Sequence, residues 1–236
     1  EQLVQVLKFH YGEDIQLFLM GLSWGGYLGY AYLSKADNQL NIKGFVNVVG
    51  AHNLPSMASW SKKRLIETAQ NQLNMTTDNV FKWQEILNWC VQKDSILNKE
   101  DFMALNNWAI EAEVLQVDSL SMEMNVADWR TQLNFIFASP FSAGQLSANQ
   151  NSIAESQLLD RALEDDLDDF LPNITIPVTV FGGAFDYVVP VETLMEQYNL
   201  LGSLEKELTI FKKSGHRIIS NETTQLVYEI KGFINK

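Results

Sequence analysis

The chain has 236 residues, of which 46% are hydrophobic, so it is long enough to bury the core of one domain that carries an insertion. Its 17 basic and 29 acidic side chains give a net charge of −12, which argues against nucleic acid or an anionic membrane surface as a partner. The single cysteine excludes an internal disulfide framework, and no apolar run is long enough to span a bilayer. These features leave the cellular compartment open.

The first predicted strand leads into the most informative motif of the chain. An apolar strand is predicted to begin at Ile15 and to end at Met20. It runs into Gly-Leu-Ser-Trp-Gly at residues 21–25, which matches the pattern G-x-S-x-G, and a helix is predicted at residues 27–33. This order exposes the Ser23 hydroxyl, and the glycines two residues before and after it are predicted to fit where the backbone is crowded. The alternative is an ordinary glycine-rich turn between a strand and a helix.

A second strand and its following loop come next. Residues 42–49 are almost continuously apolar, as in a parallel strand that is buried on both faces. The loop at residues 50–53 contains His52 and would open at the same carboxyl edge of the sheet as Ser23. His52 is therefore predicted to contact a substrate, and a buried structural histidine is the alternative.

Residues 55–170 change character, because strand patterns give way to helical periodicity. The segment is too long for a loop, so it is predicted to form a helical cap over the edge that carries Ser23. Residues 1–54 and 171–236 would then be the two parts of the sheet domain. Acidic residues at 164–169 are predicted to lie on a solvated helix face, with a metal site as the sharper alternative. Five of the six tryptophans fall in this segment: Trp60, Trp83, Trp89, Trp108 and Trp129.

The last third of the chain supplies the partners that a serine nucleophile requires. Strands are predicted at residues 178–181 and 208–211. Asp186 follows the first of these strands and His216 follows the second, which gives the order Ser, Asp, His that this motif uses. Ser23, Asp186 and His216 are therefore predicted to form a catalytic triad. Taken singly, the aspartate could instead form a turn and the histidine could lie on a surface loop.

A family resemblance is carried by three stretches: Ser-Trp-Gly at 23–25, Gly-Gly-Ala-Phe-Asp at 182–186 and Ser-Gly-His at 214–216. They resemble the α/β-hydrolases, and in particular the lidded branch that includes the proline iminopeptidases. The resemblance covers the motif region and the last third well, and the middle only in general layout. It implies an α/β fold with a mostly parallel sheet and an inserted helical cap. It also implies hydrolysis through an acyl-enzyme, an oxyanion stabilised by the Trp24 N–H, and no need for a metal or an organic cofactor.

The substrate stays open between three alternatives. The general one is an ester hydrolase for small molecules. The sharper one is an aminopeptidase for short peptides, in which the resemblance implies that acidic cap residues hold the amino group of the substrate. A third alternative, of a different class, is a non-catalytic binding module or an inactive fragment. Four glutamates are available for the amino group, and no motif singles one out: Glu67, Glu85, Glu111 and Glu113.

The chain departs from the family pattern before the motif. Members of the α/β-hydrolase family carry several strands ahead of the turn that holds the serine, here called the serine turn. A loop among these strands supplies the second oxyanion donor. Because Ser23 comes so early, we expect a longer protein in which residues before Glu1 hold these strands. The edge of the strand that ends at Met20 is then expected to be covered by strands of another chain, or by a second copy of this one. Residues 1–10 are predicted to form a packing helix.

Overall fold

The computed structural model of the chain describes residues 2–75, 77–96, 98–117 and 157–236. The four strands in these residues form one parallel sheet in the order β1-β2-β3-β4, which is also their order in the sequence. The predicted α/β class with a mostly parallel sheet is confirmed. The strands are β1 (Phe18–Leu22), β2 (Gly44–Val48), β3 (Val178–Gly183) and β4 (Lys206–Phe211).

The first strand begins later than predicted. β1 starts at Phe18, which pairs with Gly44 on β2, rather than at Ile15. Ile15 instead donates its N–H to the carbonyl of Gly12, a glycine with φ 105°. A turn that begins at this left-handed glycine closes at Ile15, and β1 starts three residues later. At its other end, β1 continues past Met20 into the serine motif.

Helices flank and connect the strands. Those before β3 are α1 (Gln2–Tyr11), α2 (Trp24–Leu33), α3 (Ala36–Gln39), α4 (Leu54–Met75), α5 (Val80–Gln92), α6 (Lys99–Val117) and α7 (Gln157–Glu164). Those after β3 are α8 (Val191–Leu200), α9 (Ile218–Asn221) and α10 (Thr223–Ile234). A short 3-10 turn at Leu171–Asn173 leads into β3. None of the described helices is both long and apolar enough to cross a membrane.

Two hydrophobic clusters cover the two faces of the sheet. Side chains alternate between the faces along a strand, so Phe45 packs in the cluster that contains α2, and Val46 packs in the cluster that contains α10. The Phe45 ring meets the ring of Tyr30 edge-on, with 4.9 Å between the ring centroids. β2 and β3 are buried at every position, which is expected of parallel strands covered by helices on both faces.

Helices α4 to α7 lie between β2 and β3 in the sequence, where the cap is predicted, and together they are called the helical segment. α4 is joined to the loop after β3, because the Ser61 hydroxyl donates to the Tyr187 carbonyl at 2.6 Å. This loop also carries Asp186, so the helical segment contacts the sheet at its carboxyl edge. Residues 118–156, which include Trp129, lie outside the described residues. The division of the chain into a two-part sheet domain and a cap stays a prediction.

The helix predicted at residues 1–10 is present as α1, but the packing expected of it is not seen, because α1 has no buried residue in the described chain. Its Leu3, Val6 and Phe9 side chains are 70%, 60% and 91% exposed. β1 forms one edge of the described sheet, and its Met20 side chain is 48% exposed. The predicted covering of this edge, by another chain or by a second copy, stays a prediction.

The acidic run at residues 164–169 does not lie on a helix face as predicted. α7 ends at Glu164, and the N–H of Asp168 donates to the Asp166 carboxylate at 3.2 Å in the turn that follows. Aspartate side chains that bind nearby backbone N–H groups compete with helical hydrogen bonds, which explains why the helix stops here. Within the described residues, histidine, cysteine and acidic side chains form no group of three that could hold a metal ion.

Candidate active site

Ser23 lies at a sharp turn between β1 and α2, with φ 52° and ψ −116°. Residues other than glycine rarely adopt a positive φ, so the surrounding hydrogen bonds must hold a strained turn. The Ser23 N–H donates to the Val48 carbonyl of β2 at 2.8 Å, and the Ser23 carbonyl accepts from the Gly26 N–H at 2.8 Å. The turn follows the carboxyl end of its strand, which is the edge where open α/β sheets bind ligands.

The two glycines of the motif differ in the space that their surroundings leave for a side chain. A Cβ atom on Gly21 would lie 2.3 Å from the carbonyl oxygen of Gly25, which is far inside van der Waals contact. A Cβ atom on Gly25 would meet no neighbouring atom within 4 Å. The prediction that both positions need glycine for space is therefore correct at Gly21 and wrong at Gly25.

This difference gives a test with a built-in control. We expect Gly21→Ala to lower the free energy of unfolding by about 1–3 kcal/mol, because the added methyl group overpacks the turn. Gly25→Ala should leave it unchanged or raise it by up to about 1 kcal/mol, because alanine is the better helix residue. Urea unfolding of both variants beside the wild type measures the two effects. Equal losses in the two variants would contradict the steric argument.

Asp186 follows β3 and is completely buried. Its Oδ1 accepts two backbone hydrogen bonds, from the Val188 N–H at 2.9 Å and from the Val189 N–H at 2.7 Å. These two donors fix the plane of the carboxylate and direct Oδ2 toward His216, whose Nδ1 lies 2.9 Å away. The aspartate thus has the environment of a fixed hydrogen-bond acceptor rather than of a solvated turn residue.

His216 follows β4 and connects the other two predicted residues. Its Nδ1 faces Asp186, and its Nε2 lies 2.8 Å from the Ser23 hydroxyl oxygen. The structure therefore brings Ser23, His216 and Asp186 into one hydrogen-bonded row. The row joins residues that are 193 and 30 positions apart in the chain.

The loops that carry the aspartate and the histidine are packed directly against each other. The Phe185 N–H donates to the Ser214 carbonyl at 3.0 Å. A Cβ atom on Gly183 would lie 2.2 Å from the carbonyl oxygen of Gly215. The glycine at the end of β3 therefore lets the two loops approach, and this approach sets the distance between Asp186 and His216.

The electrostatic environment favours a protonated His216. Burial by itself would lower the pKa of His216, but the charge of Asp186 and its hydrogen bond to the ring outweigh burial and raise the pKa above the ordinary 6.5. The charge of Glu113 adds to the rise and that of Arg217 opposes it. A histidine with greater proton affinity is a stronger base toward the Ser23 hydroxyl.

Trp24 is the first residue of α2, so its N–H has no acceptor within the helix. It directly follows Ser23, which is where a serine turn of this kind has one of its oxyanion donors. The Trp24 ring stacks on the ring of Tyr27, with 5.2 Å between centroids and 18° between the planes. The oxyanion role of Trp24 stays a prediction.

His52 is placed differently from the triad residues, because its side chain is only 1% exposed. Its Nε2 lies 3.2 Å from Oδ1 of Asp168, in the turn after α7. Burial lowers the pKa of His52, while the charges of Asp168, Glu196 and Asp166 oppose this effect. These contacts favour the structural alternative over the predicted substrate contact, because a ring with almost no exposed surface offers little to a ligand.

Glu113 on α6 is a site residue that the sequence did not single out. Its Oε2 accepts a hydrogen bond from the backbone N–H of His216 at 2.8 Å, and the residue is 7% exposed. Of the four glutamates considered for the substrate amino group, it is the one with a hydrogen bond to a triad residue. A signal was present in the sequence, because Leu105, Ala109 and Glu113 share one helical stripe and an acid on an apolar stripe is unusual.

A groove of about 400 Å³ lies at the amino ends of the strands, whereas Ser23 follows the carboxyl end of β1. Its lining includes Phe18, Lys43 and Lys206, which stand at or next to the amino ends of three strands. None of the triad residues lines it. The groove is therefore separate from the chemistry that the triad geometry supports.

The chain is similar in structure to solved α/β-hydrolases. It matches MenH from S. aureus with a TM-score of 0.55 at 14% identity, over 99% of this chain and 73% of that one. It matches an alpha/beta fold family hydrolase from Bacillus anthracis str. Sterne with a TM-score of 0.53 at 17% identity, over 98% and 71% of the two chains. A thermophilic esterase from Thermogutta terrifontis matches with a TM-score of 0.51 at 18% identity, over 97% and 68%. Neither a protein-family model nor a curated protein matches the chain by sequence.

The chain therefore has the α/β-hydrolase fold, as the resemblance of its motifs implied. One fold of this kind supports many reactions, so the fold alone does not define a substrate or a reaction. The chemistry has to be argued from the residues at the carboxyl edge of the sheet.

Proposed function

We propose that the chain is a serine hydrolase that cleaves an ester or amide bond of a small substrate through an acyl-enzyme. The observation that carries the proposal is the hydrogen-bonded row of side chains, with 2.8 Å between Ser23 and His216 and 2.9 Å between His216 and Asp186. The strained turn at Ser23 supports it further, because strain at a nucleophile is commonly retained for function.

In the proposed reaction, the Ser23 oxygen attacks the carbonyl carbon of the substrate while His216 Nε2 accepts the hydroxyl proton. Asp186 holds the imidazole in the tautomer with a proton on Nδ1 and stabilises the imidazolium that forms. The Trp24 N–H donates to the oxyanion of the tetrahedral intermediate. His216 then gives its proton to the leaving group, and water hydrolyses the acyl-enzyme by the same steps. The side chains supply every proton transfer in this sequence.

The raised pKa of His216 predicts the pH profile of kcat/KM. Protonated imidazole cannot accept the serine proton, so activity should fall as pH decreases through the pKa of His216 in the free enzyme. This fall in activity is the acid limb of the profile. Because the pKa of His216 is raised, we expect the midpoint of the acid limb to lie above pH 6.5, the ordinary pKa of histidine. Ester hydrolysis measured between pH 5 and pH 9, in roughly half-unit steps, gives the profile. His10→Gln, which changes an exposed histidine on α1, should leave the limb unchanged. An acid limb with its midpoint below pH 6.5 would contradict the assignment of His216 as the general base.

A second candidate function is an aminopeptidase for short peptides, of the proline iminopeptidase type. Glu113 favours it, because this buried carboxylate lies beside the triad and carries the negative charge that a substrate ammonium group would require. Its Oε2 already accepts the His216 N–H, and the residue is only 7% exposed, so fewer acceptor sites and little surface are left for a substrate. We therefore rank this function after the general hydrolase.

A panel of p-nitrophenyl esters and amino-acid p-nitroanilides tests the proposal. Turnover of the esters is the expected result. Turnover restricted to anilides with a free amino terminus would favour the aminopeptidase. No turnover of either class, together with no covalent labelling by a fluorophosphonate, would favour the remaining alternative of a binding module or an inactive fragment.

A further inference from the structure

Glu113 forms a direct link between the helical segment and the histidine loop. It lies on α6, and its Oε2 accepts the backbone N–H of His216 at 2.8 Å. The side chain is 7% exposed, so little water competes for this hydrogen bond. A hydrogen bond from a backbone N–H to a buried carboxylate is charge-assisted and stronger than one between neutral groups.

The histidine loop is shaped to receive this carboxylate. A Cβ atom on Gly215 would lie 2.2 Å from the carboxyl carbon of Glu113 and 2.5 Å from its Oε1. Only glycine leaves room for the carboxylate at this position. The bond and the close packing are two separate observations, and both show that Glu113 fixes the backbone immediately before and at His216.

Two carboxylates share the electrostatic environment of this histidine. Asp186 and Glu113 both favour the protonated ring, and Arg217 disfavours it. Burial raises the pKa of Glu113 itself, the His216 N–H bond opposes the rise, and the charge of Asp186 adds to it. The charges of His216 and Arg217 lower the pKa of Glu113, and the charge of Glu113 in turn raises the pKa of Tyr187. Glu113 is therefore coupled to His216 through the backbone bond and through its charge.

We propose that Glu113 is a positioning residue that holds the His216 loop from the helical segment and stabilises the imidazolium formed when Ser23 gives up its proton. The inference rests on the proposed serine-hydrolase function for its kinetic consequences. Its structural consequence, the coupling of Glu113 to His216, does not depend on turnover. In this arrangement, a displacement of α6 would weaken the base of the triad, so the helical segment and the triad are expected to act as one unit.

Three variants separate the bond from the charge. Glu113→Gln keeps an acceptor of the same shape and removes the charge, whereas Glu113→Leu removes both and leaves the His216 N–H unpaired. Glu100→Gln is the matched control, because Glu100 lies on the same helix and is exposed. Urea unfolding of each variant first establishes that it is folded.

The readouts are the pH titration of the His216 ring by NMR and the steady-state kinetics on the best ester of the panel. In Glu113→Gln we expect a lower His216 pKa than in the wild type, an acid limb displaced in the same direction, and plateau kcat within about threefold. In Glu113→Leu we expect kcat to fall by roughly 10- to 100-fold at every pH with little change in KM, because a small displacement of the base is enough for such a loss. Glu100→Gln should resemble the wild type in all respects.

The outcomes distinguish this inference from its competitors. An unchanged His216 titration in Glu113→Gln, or equal losses of kcat in the Gln and Leu variants, would overturn the positioning role. A raised KM confined to substrates with a free amino group would overturn it in favour of a substrate anchor. If the chain hydrolyses none of the substrates, the NMR titration alone still decides whether Glu113 acts on His216, so failure of the proposed function is separable from failure of this inference.

Discussion

Replacement of Ser23 by alanine is expected to lower kcat/KM for the best ester by about 10⁴- to 10⁶-fold. The change removes the oxygen that lies 2.8 Å from His216 Nε2, and with it the atom that would bond to the substrate carbonyl. The remaining rate would come only from substrate binding and from the oxyanion donors. Initial rates of p-nitrophenol release at a pH above the acid limb measure the loss.

Covalent labelling tests the same residue without a substrate. A fluorophosphonate should add one probe mass to the wild type and none to Ser23→Ala, as read by intact mass spectrometry. Ser34→Ala is a suitable control, because Ser34 follows α2 and its hydroxyl donates only locally, to the Ala31 carbonyl at 2.8 Å. Labelling that persists in Ser23→Ala would assign the nucleophile to another residue. A wild type that stays unlabelled would refute an activated Ser23 in this chain.

The strain at Ser23 adds a stability signature to this prediction. Alanine keeps the Cβ atom and therefore keeps the strain of φ 52°, whereas glycine relieves it. Ser23→Gly should therefore be more stable than Ser23→Ala by about 1 kcal/mol, even after the larger unfolded-state entropy of glycine is subtracted. Urea unfolding gives the difference. Equal stability of the two variants would show that the turn is not strained.

The residues at the ends of strands could be predicted from the sequence because their signals are local. Ser23 stands in a five-residue pattern between an apolar strand and a helix, and both elements are present. Asp186 and His216 each follow an apolar strand within a few residues. In a parallel sheet the carboxyl ends of neighbouring strands meet at one edge, so three local signals were enough to predict a common location.

Features that depend on contacts between distant elements could not be predicted in this way. Glu113 meets the His216 N–H across 103 residues of sequence, and helical periodicity alone cannot say which element a stripe contacts. The loop that carries His52 was predicted correctly, but the contact of its ring with Asp168 is not local, because Asp168 follows the far end of the helical segment. The late start of β1 has a different origin, because the apolar Ile15 predicts a strand but its N–H closes the turn that begins at Gly12.

Asp186→Asn is expected to lower kcat/KM by about 10³- to 10⁴-fold while the protein stays folded. The Asn side-chain oxygen can take the place of Oδ1 and accept the Val188 and Val189 N–H groups at 2.9 and 2.7 Å. These two donors admit an oxygen and exclude an NH2 group. The NH2 group of the asparagine must therefore take the position of Oδ2, which faces His216 Nδ1 at 2.9 Å.

An NH2 group at the position of Oδ2 changes which ring nitrogen of His216 carries the proton. Nδ1 has to accept a hydrogen bond from the new NH2 group, so the ring proton moves to Nε2, the nitrogen 2.8 Å from Ser23. A protonated Nε2 cannot accept the serine proton, and the nucleophile loses its base even though the distances are unchanged. The ¹⁵N shifts of the His216 ring should report this tautomer, and Asp37→Asn, a change of an exposed aspartate on α3, should alter neither the shifts nor the rate. Activity of Asp186→Asn within about tenfold of the wild type would mean that the tautomer held by Asp186 is not required, and the triad mechanism would have to be abandoned.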